Sequence, residues 1–353
     1  MEYYLKCDQC GEVYKSSFEH QLCANCNSLL EVVYPQLPKA PNQKHTSFWD
    51  YENLLPNCNY HHYEVGDTKL IDAHNSENLT LKLEIENPTR SFKDRGSIVE
   101  IAKAKEYGYD KVVCASTGNM AYSIAYYAKL AGITSKIYVS KNANRDKIAE
   151  IRSTHDADIV RINGDFTKAQ ARAEAYARRN KVFLTGDYCY RKEGQKTMAY
   201  EIIHALPETT HIIAPIGNAT LFTAIFKALK EMQAMRKITK LPKLIAVQSD
   251  KTAPVALAYK NRTRVRYVKP TTKADAIAVG YPTYGDHALE ALRQTNGTCI
   301  TVSDESMKKE QKRFFEEYGL IAELAAVAGI VAARRIKLRK SEKAVVIVTG
   351  GNV

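Results

Sequence analysis

The sequence has no apolar run of the length that crosses a bilayer. Its first residues, Met1 to Lys6, lack the apolar core followed by small residues that marks a secretory signal. Neither a membrane span nor export is expected, and a cytoplasmic location is. There is no internal repeat and no low-complexity tract. Long blocks of like charge are also missing. The formal net charge is +12, but Lys and Arg are spread along the chain, which reads as a solvated basic surface rather than a nucleic-acid footprint.

What the chain has is size: 353 residues, 45% hydrophobic and 25% charged, enough for two globular domains with well-buried cores. Of its eight cysteines, four are patterned. Cys7 and Cys10 form one C-x-x-C, and Cys23 and Cys26 form a second after twelve intervening residues. Two such knuckles present four thiolates to a tetrahedral ion, usually Zn2+; a redox dithiol or chance spacing is the alternative. Gly11 suits the tight turn such a site needs. Cys58, Cys114, Cys189 and Cys299 show no spacing logic and read as buried free thiols.

From about Thr80 onward, short β-rich runs alternate with helical patterns. Strands are expected over 81–85, 112–114, 136–139, 158–162, 182–184, 212–214, 244–247 and 344–348. Helices are expected over 120–131, 167–179, 193–206, 220–235, 305–318 and 320–338. This alternation predicts parallel sheets covered by helices, with ligands at the carboxyl ends of strands. The stretch 37–43, with Pro38 and Pro41, is the best linker between the cysteine module and the rest.

Three loops after strands stand out. Ala115-Ser116-Thr117-Gly118-Asn119 and Pro215-Ile216-Gly217-Asn218-Ala219-Thr220 each lead from strand to helix, where backbone N–H groups and the helix dipole favour an anion. Thr349, in Val348-Thr349-Gly350-Gly351, leaves the last strand with a hydroxyl to offer. Taken singly, each is as consistent with ordinary capping or turn structure as with a site. The turn-rich segment 87–96, Asn-Pro-Thr-Arg-Ser-Phe-Lys-Asp-Arg-Gly, places Lys93 after an aromatic. It is either a surface lysine in a charged loop or a nucleophile, which needs desolvation to lower its pKa.

In combination, Asn87 to Gly96, Ala115 to Asn119, Glu-Gly-Gln-Lys-Thr at 193–197 and the terminal Thr349-Gly350 resemble threonine synthase, a fold-type II pyridoxal-phosphate enzyme related to the tryptophan synthase β subunit. Ser303-Asp304-Glu305, Glu323 and the cysteine knuckles fit the same pattern, so the resemblance covers nearly the whole chain. It implies two parallel-sheet α/β domains with pyridoxal 5′-phosphate in the cleft, plus a small N-terminal zinc-ribbon-like module. The expected limits are 1–34 for the module, 35–86 with 166–353 for the large domain and 87–165 for the small one. Lys93 would carry the cofactor as a Schiff base, with Phe92 packed near it. Asn119 would meet the pyridoxal 3′ oxygen, and Gly217, Asn218, Ala219, Thr220 and Leu221 would wrap the phosphate. Thr349 would face the ring nitrogen. Ser116 and Thr117 would hold the substrate carboxylate, and Arg191 and Arg90 its anionic group. A homodimer acting on a small amino acid is implied, with no nucleic-acid or membrane partner.

In threonine synthase the substrate is O-phosphohomoserine, which needs a second phosphate pocket. Here Met120 replaces a usual Thr, Thr185-Gly186 replaces an Asn-Ser pair, Leu221 replaces an Asn, and Arg90 stands where a small or apolar residue is usual. Three readings stay open. The first is threonine synthesis. The second is the same cofactor chemistry on another anionic amino acid, as in cysteate synthase or an eliminating deaminase. The third is a non-catalytic relative that binds or regulates.

Overall fold

The computed structural model describes residues 2–38, 47–74, 76–116, 118–141, 148–149, 151–152, 157–164 and 166–352. Thr117 and much of the expected 37–43 linker lie outside them. The chain opens with β1 (Tyr4–Cys7), β2 (Val13–Lys15) and β3 (Leu30–Val33), an antiparallel sheet in the order β2-β1-β3. β4 (Leu70–Asp72) and β5 (Leu79–Leu83) follow. Next come α1 (Lys93–Glu106), β6 (Lys111–Ala115), α2 (Asn119–Leu130), β7 (Thr134–Ser140), β8 (Asp158–Ile162), α3 (Phe166–Asn180), β9 (Phe183–Leu184) and α4 (Cys189–Ala205). The rest of the chain comprises β10 (His211–Pro215), α5 (Thr220–Ala234), β11 (Lys243–Ser249), α6 (Pro254–Asn261), α7 (Gly285–Gln294), β12 (Thr298–Val302), α8 (Asp304–Tyr318), α9 (Leu324–Ala333) and β13 (Ala344–Val348).

The described residues divide into two units, one drawn from 1–39, 49–65 and 93–194, the other from 40–48, 66–92 and 195–353. The first holds the antiparallel sheet and a parallel four-stranded sheet, β8-β7-β6-β9. Ala169 and Ala173 of α3 pack on Val113, Ala115 and Tyr138 of that sheet. The second holds a six-stranded sheet, β12-β11-β10-β13-β5-β4, parallel except for β4 at its edge. β10 and β13 are buried at every position, and α9 is buried nearly all round, as central parallel strands and a core helix require.

The expected division at 165 differs from the limits of these two units. β9 pairs with β6 and α3 covers that sheet, so 166–194 belong with the first unit. The cysteine-bearing strands belong to the same unit. Lys93 is not in a loop: it opens α1. The helical stripe is hidden in sequence because Asp94, Arg95, Ser97, Glu100 and Lys103 are all buried there beside Ile98, Val99 and Ile101.

Candidate active site

In the second unit, β10, β13 and β5 are neighbours, so the segments after them emerge side by side at their carboxyl ends. Segment 87–92 follows β5. Its start is fixed by a buried polar chain: Lys82 Nζ lies 2.6 Å from Glu201 and donates to the Thr68 carbonyl at 2.5 Å. The Thr68 hydroxyl donates to Glu84 at 2.7 Å, Asn87 Nδ2 donates to Glu84 at 2.9 Å, and Gly66 N–H donates to Asn87 Oδ1 at 2.8 Å. Its end is tied to the terminal segment. Phe92 N–H donates to the Thr349 carbonyl at 3.0 Å, Ser91 bridges Gly350, and Gly351 N–H donates to the Arg90 carbonyl at 2.9 Å. Arg90 itself is exposed, with φ 57°. Thr349 is buried, and the buried Ser91 hydroxyl has no hydrogen-bond partner among the described residues.

After β10, Gly217 and Asn218 are half-buried, while Ala219, Thr220 and Leu221 are buried at the start of α5. Ala219 is left-handed (φ 65°), which turns the chain into the helix. A Cβ on Gly217 would stand 2.7 Å from the Ala276 carbonyl, so only glycine fits. The Asn218 carbonyl accepts from Tyr284 N–H at 3.0 Å, and its side-chain oxygen accepts from Thr283. The first N–H groups of a helix have no intrahelical acceptor, and here they open on a loop braced from behind.

In the first unit, Lys93 begins α1, and its ammonium lies 3.5 Å from Asp187, with both side chains largely buried. Burial lowers the Lys93 pKa; the Asp187 carboxylate acts against that and the Arg191 guanidinium with it. Arg191 is fully buried: Nε donates to the Gly186 carbonyl at 2.9 Å, Nη1 to the Lys93 carbonyl at 3.1 Å, and Nη2 to Ser97 Oγ at 3.1 Å and Glu100 at 2.5 Å. Gly186 N–H donates to the other Glu100 oxygen at 2.8 Å. Burial pushes Glu100 up to about 7 against the pull of Arg191 and this N–H group. α1 and α4 cross at contact distance: a Cβ on Gly194 would lie 1.8 Å from the Arg95 carbonyl, which accounts for the glycine in the Glu-Gly-Gln motif. β6 neighbours β9, so Ser116 and Asp187 also follow adjacent strand ends. Ser116 is buried and its Oγ accepts from Gly118 N–H at 3.4 Å; Asn119 is half-buried at the head of α2.

The four patterned cysteines come together, their sulfurs all within 4.8 Å of one another. Cys7–Cys26 is 3.5 Å, while Cys10–Cys23 and Cys10–Cys26 are 3.6 Å. Metal–sulfur bonds of about 2.3 Å in a tetrahedron put sulfurs roughly 3.8 Å apart, so the set is sized for a metal. Gly11 (φ 76°) and Asn27 (φ 58°) occupy the same place after each knuckle. Of the other thiols, Cys114 and Cys189 are buried, and Cys58 and Cys299 are half-buried.

Sequence reasoning missed Asp187 and Glu100, which lie outside the quoted motifs or on a helix not expected there. It also missed Gln195, whose buried amide has no partner among the described residues. Ser303 is a helix cap accepting from Ser306 N–H at 3.2 Å, and Asp304 is a buried anchor for Thr272 and Lys251.

The family model for pyridoxal-phosphate dependent enzymes matches residues 62–350. The chain is 32% identical to a threonine synthase of Methanosarcina acetivorans over 99% of its length and 91% of that relative's. It is 30% identical to a threonine synthase of Methanocaldococcus jannaschii over 98% and 91%. Among solved structures, tomato threonine deaminase isoform 2 superposes with a TM-score of 0.71 at 21% identity (82% of this chain, 80% of that one). Maize serine racemase gives 0.71 at 22% (81% and 88%). At such identity these two speak for the fold alone.

Proposed function

The chain belongs to the pyridoxal-phosphate dependent enzymes, and from that premise we propose that it is a threonine synthase-like lyase with Lys93 as its cofactor-bearing lysine. The observation that carries this reading is the Lys93 amine, drawn below its ordinary pKa by burial, directly after a Phe92 whose N–H is bonded to Thr349. The residues fit the cofactor. The Gly217 loop packs so closely on the Ala276 carbonyl that no side chain fits there, and a buried hydroxyl, Ser91, stands without a partner among the described residues next to the Thr349 strand end.

In this reading Gly217, Asn218, Ala219, Thr220 and Leu221 hold the phosphate on backbone N–H groups at the α5 N-terminus. Asn119 meets the 3′ oxygen and Phe92 packs nearby. Thr349 offers the ring nitrogen a hydroxyl, which imposes no fixed charge. The cofactor, when bound, supplies the electron sink that makes loss of an α-proton possible. Lys93, as a neutral amine, takes that proton, and Ser116 and Thr117 hold the substrate carboxylate. We assign Arg191 to positioning: four of its five N–H donors are already used inside the unit. Arg90, exposed, remains the cation for a substrate anion. Cys7, Cys10, Cys23 and Cys26 would hold a structural Zn2+ in a zinc-ribbon-like module. Among the described residues no helix is long and apolar enough to cross a membrane; we place the enzyme in the cytoplasm, as a homodimer by analogy with its family.

The test is direct. Purified chain should take up pyridoxal phosphate, borohydride should fix it on Lys93, and O-phosphohomoserine should release phosphate and yield threonine. No uptake would overturn the enzyme reading. Uptake without phosphate release would favour a changed substrate, for which O-phosphoserine with sulfite, serine and threonine are the next probes. Buried Met120 and Leu221, in place of polar donors, are the observations behind that second reading.

A further inference from the structure

The loop after β9 is fixed on every side. Thr185 N–H donates to the Val113 carbonyl at 2.8 Å, and both backbone groups of Gly186 are held by the Glu100–Arg191 pair. Tyr188 N–H donates to the Gly186 carbonyl at 2.8 Å, and the Tyr188 hydroxyl donates to Glu174 at 2.9 Å. The residue this frame positions is Asp187, a buried acid with its carboxylate 3.5 Å from Lys93 Nζ. A frame this complete around one acid is more than a surface loop requires.

We propose that Asp187 is the counter-charge of the Lys93 amine, a positioning residue that fixes the nitrogen's orientation and sets the pH at which it carries a proton. Among the described residues the charged groups that weigh most on that nitrogen are Asp187, Arg191 and Glu100, in that order. Arg191 and Glu100 lie 2.5 Å apart and oppose one another in part, which leaves Asp187 the strongest charge acting on the amine. Burial and the α1 N-terminus both disfavour an ammonium. Asp187 opposes them, so the amine stays basic enough to take a proton and its site neutral enough to release one. The proposal rests on Lys93 being the cofactor lysine.

The test is a pH titration of the visible absorption of the loaded full-length protein, which reports whether the nitrogen joined to the cofactor is protonated. Asp187→Asn keeps the shape and removes the charge, and its midpoint should fall by about one to three units. Asp187→Glu should stay near the unmutated value and restore kcat. An unchanged midpoint in Asp187→Asn, or an equal fall in both variants, would overturn the proposal. If the Asn variant takes up no cofactor, or if the unmutated protein takes up none and the enzyme reading fails, the pH dependence of Lys93 acetylation by mass spectrometry in the cofactor-free chain reads the same nitrogen. A lower midpoint in Asp187→Asn supports the counter-charge there too, and equal midpoints overturn it.

Discussion

α1 and α5 begin in the same way, after a loop at a strand's carboxyl side, yet their N-termini do opposite electrostatic work. α5 opens on Gly217, Asn218 and left-handed Ala219, with no cation among them. The dipole at its N-terminus favours an anion, and in the proposed site backbone alone would hold it. α1 opens on a cation, Lys93, which the same dipole disfavours. What makes that position useful is a set of buried side chains, Glu100, Arg191, Ser97 and Asp187, none of them in its loop. A site made of backbone depends on space; one made of side chains depends on charge balance. The two should therefore fail differently.

The largest expected effect lies at the charge-built site. Glu100→Ala leaves the Arg191 guanidinium buried without its carboxylate, and should cost about 3–5 kcal/mol in chemical denaturation. The double change Glu100→Leu with Arg191→Met should recover much of that stability, since apolar residues of similar volume replace buried pairs well. It should not recover activity, because the clamps on the Lys93 and Gly186 carbonyls are gone. Recovery of both would mean that the pair is packing only. At the backbone-built site, Gly217→Val should cost less in stability, about 1–3 kcal/mol, and lower cofactor affinity about tenfold to a hundredfold, read by equilibrium dialysis. Its side chain would have to displace the Ala276 carbonyl or the loop itself. Unchanged affinity would remove the cradle from the phosphate site.

The same contrast explains what could be read from sequence. The α5 cradle was legible because a glycine between a strand and a helix is a local signal, and helix and strand bounds there shift by one or two residues at most. The cysteine cluster was legible because its spacing is local too. α1 was not legible: charged residues at buried positions erase the apolar period that marks a helix, and their partners lie far along the chain, as Arg191 does from Glu100 at 91 residues. Arg191 was expected at the substrate, and the structure turns it inward. Asp187 carried no sequence signal, because its meaning comes from β9 lying beside β6.

The smallest effect expected is the one that links the cysteine sheet to the Lys93 unit. Gln21, buried two residues before Cys23, donates to the Leu184 carbonyl, and its side-chain oxygen accepts from Tyr190 N–H at 3.3 Å. Glu31 pairs with Lys192 at 2.6 Å and Tyr34 donates to Glu193 at 2.5 Å. The sheet thus grips the stretch 184–193 that carries Asp187 and Arg191, while none of these contacts involves α5. Gln21→Ala should cost about 1–3 kcal/mol, because it strands buried backbone groups, and should leave cofactor affinity unchanged. It should nevertheless shift the pH midpoint of the cofactor absorption, since the loop holding Asp187 loosens. If the four cysteines hold a metal, as proposed, a chelator should give the same signature where that metal acts only through this grip. A fall in cofactor affinity on chelation as large as that of Gly217→Val would show that the backbone-built site also depends on the cysteine sheet, and the separation drawn between the two helix N-termini would not hold.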